Sequence, residues 1–160
     1  MRHGPAVEKI DFGGPDRSRP LTPEGIELTR AVSARLVKLY SPTLILSSEY
    51  VRARQTADCV MDAAEAALKK NRDARSPRLV VNPELNQDRP WGDWRDSWQE
   101  IQEQIEPDDV VVAVGHGPSI NDILCWHSGI DFNVGLKKAG FAVLKDAQKL
   151  VAWVPPQIMV

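Results

Sequence analysis

Three short stretches carry side chains able to do chemistry on a bound group. Arg2-His3-Gly4 opens the chain, and Ser47-Ser48-Glu49-Tyr50-Val51-Arg52-Ala53-Arg54-Gln55-Thr56-Ala57 follows some forty residues on. Gly115-His116-Gly117-Pro118 comes after a run of valines. Neutral imidazole, with an ordinary pKa of ~6.5, is a good nucleophile near neutral pH. One ring nitrogen must then be free to attack, so the other should donate its hydrogen to a fixed acceptor, most simply a backbone carbonyl. Guanidinium groups offer forked donors that match the oxygens of a phosphoryl group. A transferring phosphoryl group needs such donors around its equatorial oxygens and a nucleophile in line. His3, Arg2, Arg52 and His116 have these properties, although an Arg-His-Gly tripeptide alone is a weak signal.

Other readings of the same residue types are weaker. A metal centre on His3 and His116 lacks a further His or Cys at ligand spacing. His127 matches no motif and reads as structural or surface. Arg54 reads as a solvated helix residue, and Ser47 and Ser48 as strand-end and capping residues, with a place in the pocket wall the lesser alternative. Trp91, Trp94 and Trp98 read as packing, with Trp91 and Trp94 in a loop that should border the site.

The elements around these stretches alternate between strand-like and helix-like. Residues 5–20 are rich in Gly, Pro, Asp and Arg and read as a surface loop. Thr22-Pro23-Glu24 supplies a capping hydroxyl, a proline at the first helical position and an early acid. Leu28, Val32, Leu36 and Leu39 continue at helical spacing, predicting a helix to about Tyr40. Leu44–Leu46 reads as a short buried strand and 50–70 as an alanine-rich helix. Leu79–Val81 reads as a strand, 82–94 as an irregular loop, and 95–105 as a helix with Trp98, Ile101 and Ile105 on one face. Val110–Val114 has no polar alternation, the mark of a strand buried on both faces. A helix carrying Ile120, Ile123 and Leu124 follows His116. Residues 141–144 and 150–154 flank a polar turn and read as a hairpin. The pattern predicts an α/β fold: one three-layer domain over residues 1–160, with a mostly parallel central sheet, helices on both faces and a C-terminal hairpin. In such sheets ligands bind beyond the carboxyl ends of the strands, where Ser48, Arg52 and His116 fall.

Taken together and in this order, the three stretches resemble the histidine phosphatase (phosphoglycerate-mutase-like) superfamily. Arg19-Pro20-Leu21-Thr22-Pro23-Glu24-Gly25 adds a fourth match, to the family's Arg-x-Leu-Thr-x-x-Gly segment. The short length resembles the SixA-like phosphohistidine phosphatases, as do Glu84-Leu85 with Pro90-Trp91-Gly92-Asp93 and the closing Trp153-Val154-Pro155-Pro156. The resemblance implies a phosphatase without metal or other cofactor, acting through a phosphohistidine on His3. It implies a phosphate pocket of Arg2, His3, Arg52 and His116, with Gly117 alongside and the following helix N-terminus adding its field. The substrate implied is phosphohistidine in a protein; a small-molecule phosphomonoesterase and a catalytically weak phosphate-binding module are the alternatives.

Two departures from the family pattern matter. The middle loop, which often supplies a carboxylic acid to protonate the leaving oxygen, offers Glu84, Gln87, Asp88 and Asp93, none cleanly in register. Asp88 comes nearest as a possible general acid, and SixA-like members generally lack this acid. The family's first strand, which lies mid-sheet before Arg-His-Gly, is truncated here to Met1, so an upstream apolar segment is expected to strengthen the protein.

The whole chain sets the outer bounds. Its 160 residues are 42% hydrophobic and 26% charged, ordinary for a globular domain. A net charge of −2 gives no general attraction to nucleic acid or to an anionic membrane. No apolar run approaches the ~20 residues of a membrane span, and no signal-like segment opens the chain. Cys59 and Cys125 match no metal or disulfide spacing, consistent with free thiols and a cytoplasmic location.

Overall fold

The structure is a computed structural model that describes residues 1–69, 75–88, 94–129, 135–146 and 149–159. Helix α1 spans Pro23–Tyr40, with Thr22 Oγ accepting from the Gly25 N–H at 3.0 Å and proline in its first turn. Ser41, in the left-handed region, ends it. Strand β1 (Leu44–Ser47) is buried throughout. Helix α2 covers Val51–Leu68, β2 Arg78–Val81 and α3 Trp94–Gln102. β3 (Val111–Val114) leads into α4 (Gly117–Ser128), and β4 (Phe141–Lys145) and β5 (Lys149–Val154) form the C-terminal hairpin. Asp93, the tryptophan side chains at 91 and 94, and the His127 side chain lie outside the described residues.

β1 is the middle of a parallel sheet ordered β2-β1-β3, with Leu44 opposite Arg78 and Val111 and Ser47 opposite Val81 and Val114. Strand alternation divides the core by face. On one face Val32, Leu36 and Val37 of α1 and Ala53, Ala57, Val60 and Ala64 of α2 pack with Ile45, Val112, Val114 and Phe141. On the other, Leu44 and Leu46 meet Leu85 and Ile101, with Trp98 and Ile105 against them. Ile120 and Leu124 of α4 join Leu136 and the hairpin residues Ala142, Leu144, Leu150 and Trp153. Three layers with helices on both faces result, as the alternation of segments predicts.

The helix read over 95–105 ends at Gln102 and Leu39 is exposed, and two further differences concern the sheet. Val110 lies outside β3 and is 41% exposed. Its carbonyl instead receives the N–H groups of Thr43 and Leu44 as the chain enters the sheet. The second difference concerns the far side of β3, where Met1–His3 pairs with Gly115. Arg2 bridges Gly115 in parallel, His3 N–H donates to the Gly115 carbonyl, and Gly115 N–H donates to that of Met1. On the other side Arg2 N–H donates to Gly140 and Ala139 N–H to the His3 carbonyl. Three residues thereby join the parallel sheet to the hairpin, and Met1 packs in the core with its amino group on the Ala113 carbonyl at 2.7 Å.

The loop after Gly4 is held against α1 by close approach. A Cβ on Gly25 would lie 2.0 Å from the Pro5 carbonyl oxygen, and one on Gly4 would lie 2.2 Å from Thr29 Oγ1. Both positions therefore require glycine.

Candidate active site

The four chemistry-bearing residues predicted from sequence converge where the Met1–His3 segment, β1 and β3 end. The His3 and His116 rings are 5.2 Å apart at their centroids. Both are buried, as is Arg52, which is 1% exposed. Arg52 enters from the first turn of α2 and stacks its guanidinium 4.7 Å from the Tyr50 ring centre; that ring in turn meets His116 edge-on at 4.8 Å. Arg2 lies flat against Gly117, where a Cβ would sit 3.1 Å from its guanidinium carbon. It donates from Nη1 to the Leu136 carbonyl at 2.7 Å. Arg54 points elsewhere, to Asp58 at 3.9 Å on the helix surface.

His3 has the hydrogen-bond arrangement expected of a nucleophile. Its Nδ1 lies 2.8 Å from the Gly4 carbonyl, which can only accept, so Nδ1 carries the hydrogen and Nε2 keeps its lone pair. Gly4 is held in turn by its N–H on Thr56 Oγ1 at 2.9 Å, and the Thr56 hydroxyl donates to the Arg52 carbonyl. The nucleophile candidate and the α2 arginine are thus braced on one another. Burial pushes His3 down to about 4, against the bond to Gly4 and with help from the charges of Arg52, Arg2 and Lys138. Burial likewise takes His116 to about 3, aided by His3, Arg52 and Arg2 and opposed by Asp16.

Of the further groups at the site, Ser48, Arg19 and Gln87 lie in stretches the sequence singles out, while Asp16, Asn86 and Lys138 carry no motif signal. Asp16, from the 5–20 loop, accepts Arg52 Nη2 on its carboxylate at 2.9 Å and Arg52 Nη1 on its carbonyl at 2.8 Å. Arg19 Nε holds the other carboxylate oxygen at 3.1 Å, and Gln87 Nε2 donates to the first at 2.9 Å. Burial alone would raise the Asp16 carboxyl; the bonds from Arg19 and Arg52 and the charge of Arg52 outweigh it and hold it below the usual range. Gln87 also accepts from Arg52. Lys138, paired with Glu8 at 3.1 Å, adds positive charge near His3. Ser48 and Asn86 contact His116 directly or in sequence.

Among the side-chain polar atoms that are buried without a hydrogen bond in the protein, Arg2 Nε, Arg52 Nε and His116 Nδ1 all belong to this cluster. Buried polar atoms are normally paired, so two unpaired guanidinium donors beside two imidazoles suit a tetrahedral oxyanion. The carboxylates nearby are already engaged. Asp88 is 54% exposed, 3.6 Å from Arg17, and hydrogen-bonded to Tyr50. Burial and this carboxylate raise the Tyr50 hydroxyl, with Arg17 and Arg52 opposing. Among the described residues no group of three or more His, Cys, Asp or Glu could hold a metal ion, and no helix is long and apolar enough to cross a membrane. Cys59 is a buried free thiol.

Solved structures with this architecture include a protein described as the phosphohistidine phosphatase SixA from Agrobacterium tumefaciens. It is 25% identical, with a TM-score of 0.74 over 98% of this chain and 95% of that one. The protein histidine phosphatase SixA complexed with tungstate is 22% identical, with a TM-score of 0.73 over 100% and 97%. A protein described as an α-ribazole-5'-P phosphatase from Escherichia coli is 18% identical, with a TM-score of 0.65 over 98% and 95%. A search of curated proteins finds no match. The sequence profile of the histidine phosphatase superfamily (branch 1) matches residues 1–108, from Arg2-His3-Gly4 through α2 and α3, and the chain is a phosphatase belonging to that superfamily.

Proposed function

We propose that this protein is a metal-independent phosphohistidine phosphatase in which His3 is the nucleophile. The observation that carries the reading is the pairing of a fixed His3 lone pair with unpaired Arg2, Arg52 and His116 atoms in one buried cluster. His3 Nε2 attacks phosphorus in line, and the bond to the leaving nitrogen breaks as the new N–P bond forms. Arg2 and Arg52 offset the charge on the equatorial oxygens, which is where electrostatic stabilisation acts in phosphoryl transfer. Water then attacks the phosphohistidine and releases phosphate.

The choice of substrate rests on the engagement of Asp16 and Asp88, the carboxylates near the site among the described residues. An alkoxide leaves poorly, so alkyl phosphates benefit from a proton donor commonly worth ~10²–10⁴ in rate. Asp16 is tied to two arginines and Asp88 to Arg17 and Tyr50. A phosphorylated imidazole departs as neutral imidazole once its other nitrogen bears a proton, and needs no such donor. The likeness to a SixA solved with tungstate, a tetrahedral oxyanion, agrees with the same reading.

The test combines trapping with a leaving-group series. Labelled substrate should give an acid-labile, base-stable phosphoenzyme that is absent in His3→Ala. Phosphohistidine peptide should turn over fastest, aryl phosphates next and alkyl phosphates slowest. A flat dependence on leaving-group pKa that turns steep in Asp88→Asn would make Asp88 a working general acid and favour a small-molecule phosphomonoesterase. No turnover with retained phosphate affinity would leave a phosphate-binding module.

A further inference from the structure

A second hydrogen-bond chain runs from Glu49 to His116, and each link in it has only one possible direction. The Glu49 backbone N–H can only donate, so the Asn86 side-chain atom 3.0 Å away is its oxygen. The Glu49 carboxylate accepts the Asn86 amide at 2.8 Å, which fixes the same orientation independently. That Asn86 oxygen lies 2.7 Å from Ser48 Oγ, so the hydroxyl donates its single hydrogen there. Ser48 Oγ, 2.9 Å from His116 Nε2 and also approached by the Tyr50 N–H, can then only accept. His116 must supply the hydrogen, and its Nδ1, buried and without a partner in the protein, carries none.

We infer that Asn86, through Ser48, is a positioning residue that keeps the hydrogen of neutral His116 on Nε2 and offers a bare Nδ1 to the phosphoryl group, so that the site takes up its anion together with one proton. The inference deepens the proposed function and rests on it for the identity of the anion. A bare imidazole nitrogen and a phosphoryl oxygen of a dianion are both lone-pair acceptors and repel. One proton placed between them converts that contact into a charge-assisted hydrogen bond. The surroundings of His116 favour this only when the anion is present. Burial foremost, then His3 on the N-terminal segment, Arg52 on α2 and Arg2 beside α4, disfavour a charged His116 in the free protein, while Asp16 on the loop favours it. The Tyr50 ring stands edge-on to the imidazole, with Arg17 and Asp88 beyond it. An entering dianion reverses the balance set by the three positive or ionisable neighbours, and by linkage the proton follows it.

His116 thus differs from His3 in tautomer, the hydrogen being on Nε2 in one ring and on Nδ1 in the other. The two rings divide the work: one lone pair attacks phosphorus, the other shares a proton with an equatorial oxygen.

The experiment uses nitrogen-resolved NMR of histidine-labelled protein and calorimetric titration with tungstate, a tetrahedral dianion that carries no hydroxyl of its own. The titration is run in buffers of different ionisation enthalpy, at a mildly alkaline pH where tungstate is the bare dianion. The parent should show His116 with hydrogen on Nε2 and take up about one proton per tungstate bound. In Asn86→Ala the Ser48 hydroxyl is free to donate to Nε2. The Nδ1–H tautomer should then appear and proton uptake should fall by about half or more, with Ser48→Ala giving a mixed tautomer should Asn86→Ala fail to fold. Asn86→Asp combined with Glu49→Gln keeps both the acceptor for Ser48 and a donor–acceptor pair between 86 and 49, and should restore the parent tautomer. A parent His116 with hydrogen on Nδ1, or an Asn86→Ala protein unchanged in both readouts, overturns the inference. Tungstate that binds without proton uptake, with His116 still carrying its hydrogen on Nε2, supports the positioning role and overturns the proton coupling, while the proposed function is decided separately by the His3 phosphoenzyme.

Discussion

Lowering the pH should act on this protein through its two buried imidazoles, and the size of the effect follows from their burial. His3, taken from 6.5 to about 4, is the simpler case. At pH ~5 an unperturbed histidine would be only about 3% neutral, whereas His3 would be about 90% neutral, a ~30-fold difference in available nucleophile. The acid limb of kcat/KM, corrected for substrate ionisation, should therefore fall near pH ~4 to 5 and not near the ordinary histidine value. Stability follows by linkage. The folded pKa lies below the unfolded one, so the stability contributed by a neutral His3 is intact above about 6.5 and is lost as pH falls through that window to about 4. The drop from 6.5 to about 4 corresponds to ~3 kcal/mol, and His116 adds loss in the same direction as a coupled partner. Out of a typical 5–15 kcal/mol, that is enough to bring acid unfolding close to the same pH range. NMR titration of the two imidazoles, assigned with His3→Gln and His116→Gln, measures the midpoints directly, and urea midpoints against pH give the energetic side. A His3 midpoint at 6 to 6.5 in the folded protein would refute the claim that burial and neighbouring arginines control it.

Two further substitutions test other parts of the account. Arg52→Ala should lower kcat/KM by about two orders of magnitude or more, because it removes charge aimed at the transition state. Arg54→Ala, whose parent side chain lies on the surface with Asp58, should change it less than about threefold; equal losses in steady-state assays would put the phosphate contact on the wrong arginine. Gly25→Ala should destabilise by about 1–3 kcal/mol or more, since its Cβ meets the Pro5 carbonyl at 2.0 Å. That loss should read as a fall of several degrees in Tm by calorimetry, and an unchanged Tm would mean the 5–20 loop is not seated on α1 as described.

The sequence made the central four residues legible because each sits in a short local motif at the end of a strand. Arg2 and His3 lie in the segment that runs beside the end of β3, Arg52 sits in the first turn of the helix after β1, and His116 comes two residues after β3. Their convergence is a property of a parallel sheet, whose strand ends all face one way. Asp16, Gln87, Asn86 and Lys138 lie on irregular stretches, where neither a period of two nor one of 3.6 fixes a direction. The position of Asp16 three residues before Arg19 was available as a sequence signal, and the two do form an i,i+3 pair. Nothing local distinguishes Asn86 from a capping residue such as Asn82, which accepts from the Glu84 N–H. The register of 86–88 against β1 is set by Leu85, buried in the cluster with Leu44, Leu46 and Ile101. That contact forms only when the sheet and α3 are assembled, so no scan along the chain could have found it.

The presence of Asp16 follows from the cost of burying Arg52. A guanidinium 1% exposed, with no counter-ion, would cost several kcal/mol. The carboxylate of Asp16 at 2.9 Å offsets that cost, and Arg19 and Gln87 complete its own hydrogen bonds. Asp16 uses the two terminal nitrogens of Arg52 and leaves Nε free. The same contact therefore holds the guanidinium in one orientation and keeps a donor open beside the imidazoles. It also ties the 5–20 loop to α2, so the loop that covers the site and the charge that serves it are stabilised by one ion pair. Removing the carboxylate would both loosen the loop and leave a buried cation unpaired. A phosphoryl dianion entering beside Arg52 compensates the second effect and not the first. Loss at Asp16 should therefore fall more heavily on the free protein than on the phosphate-bound one.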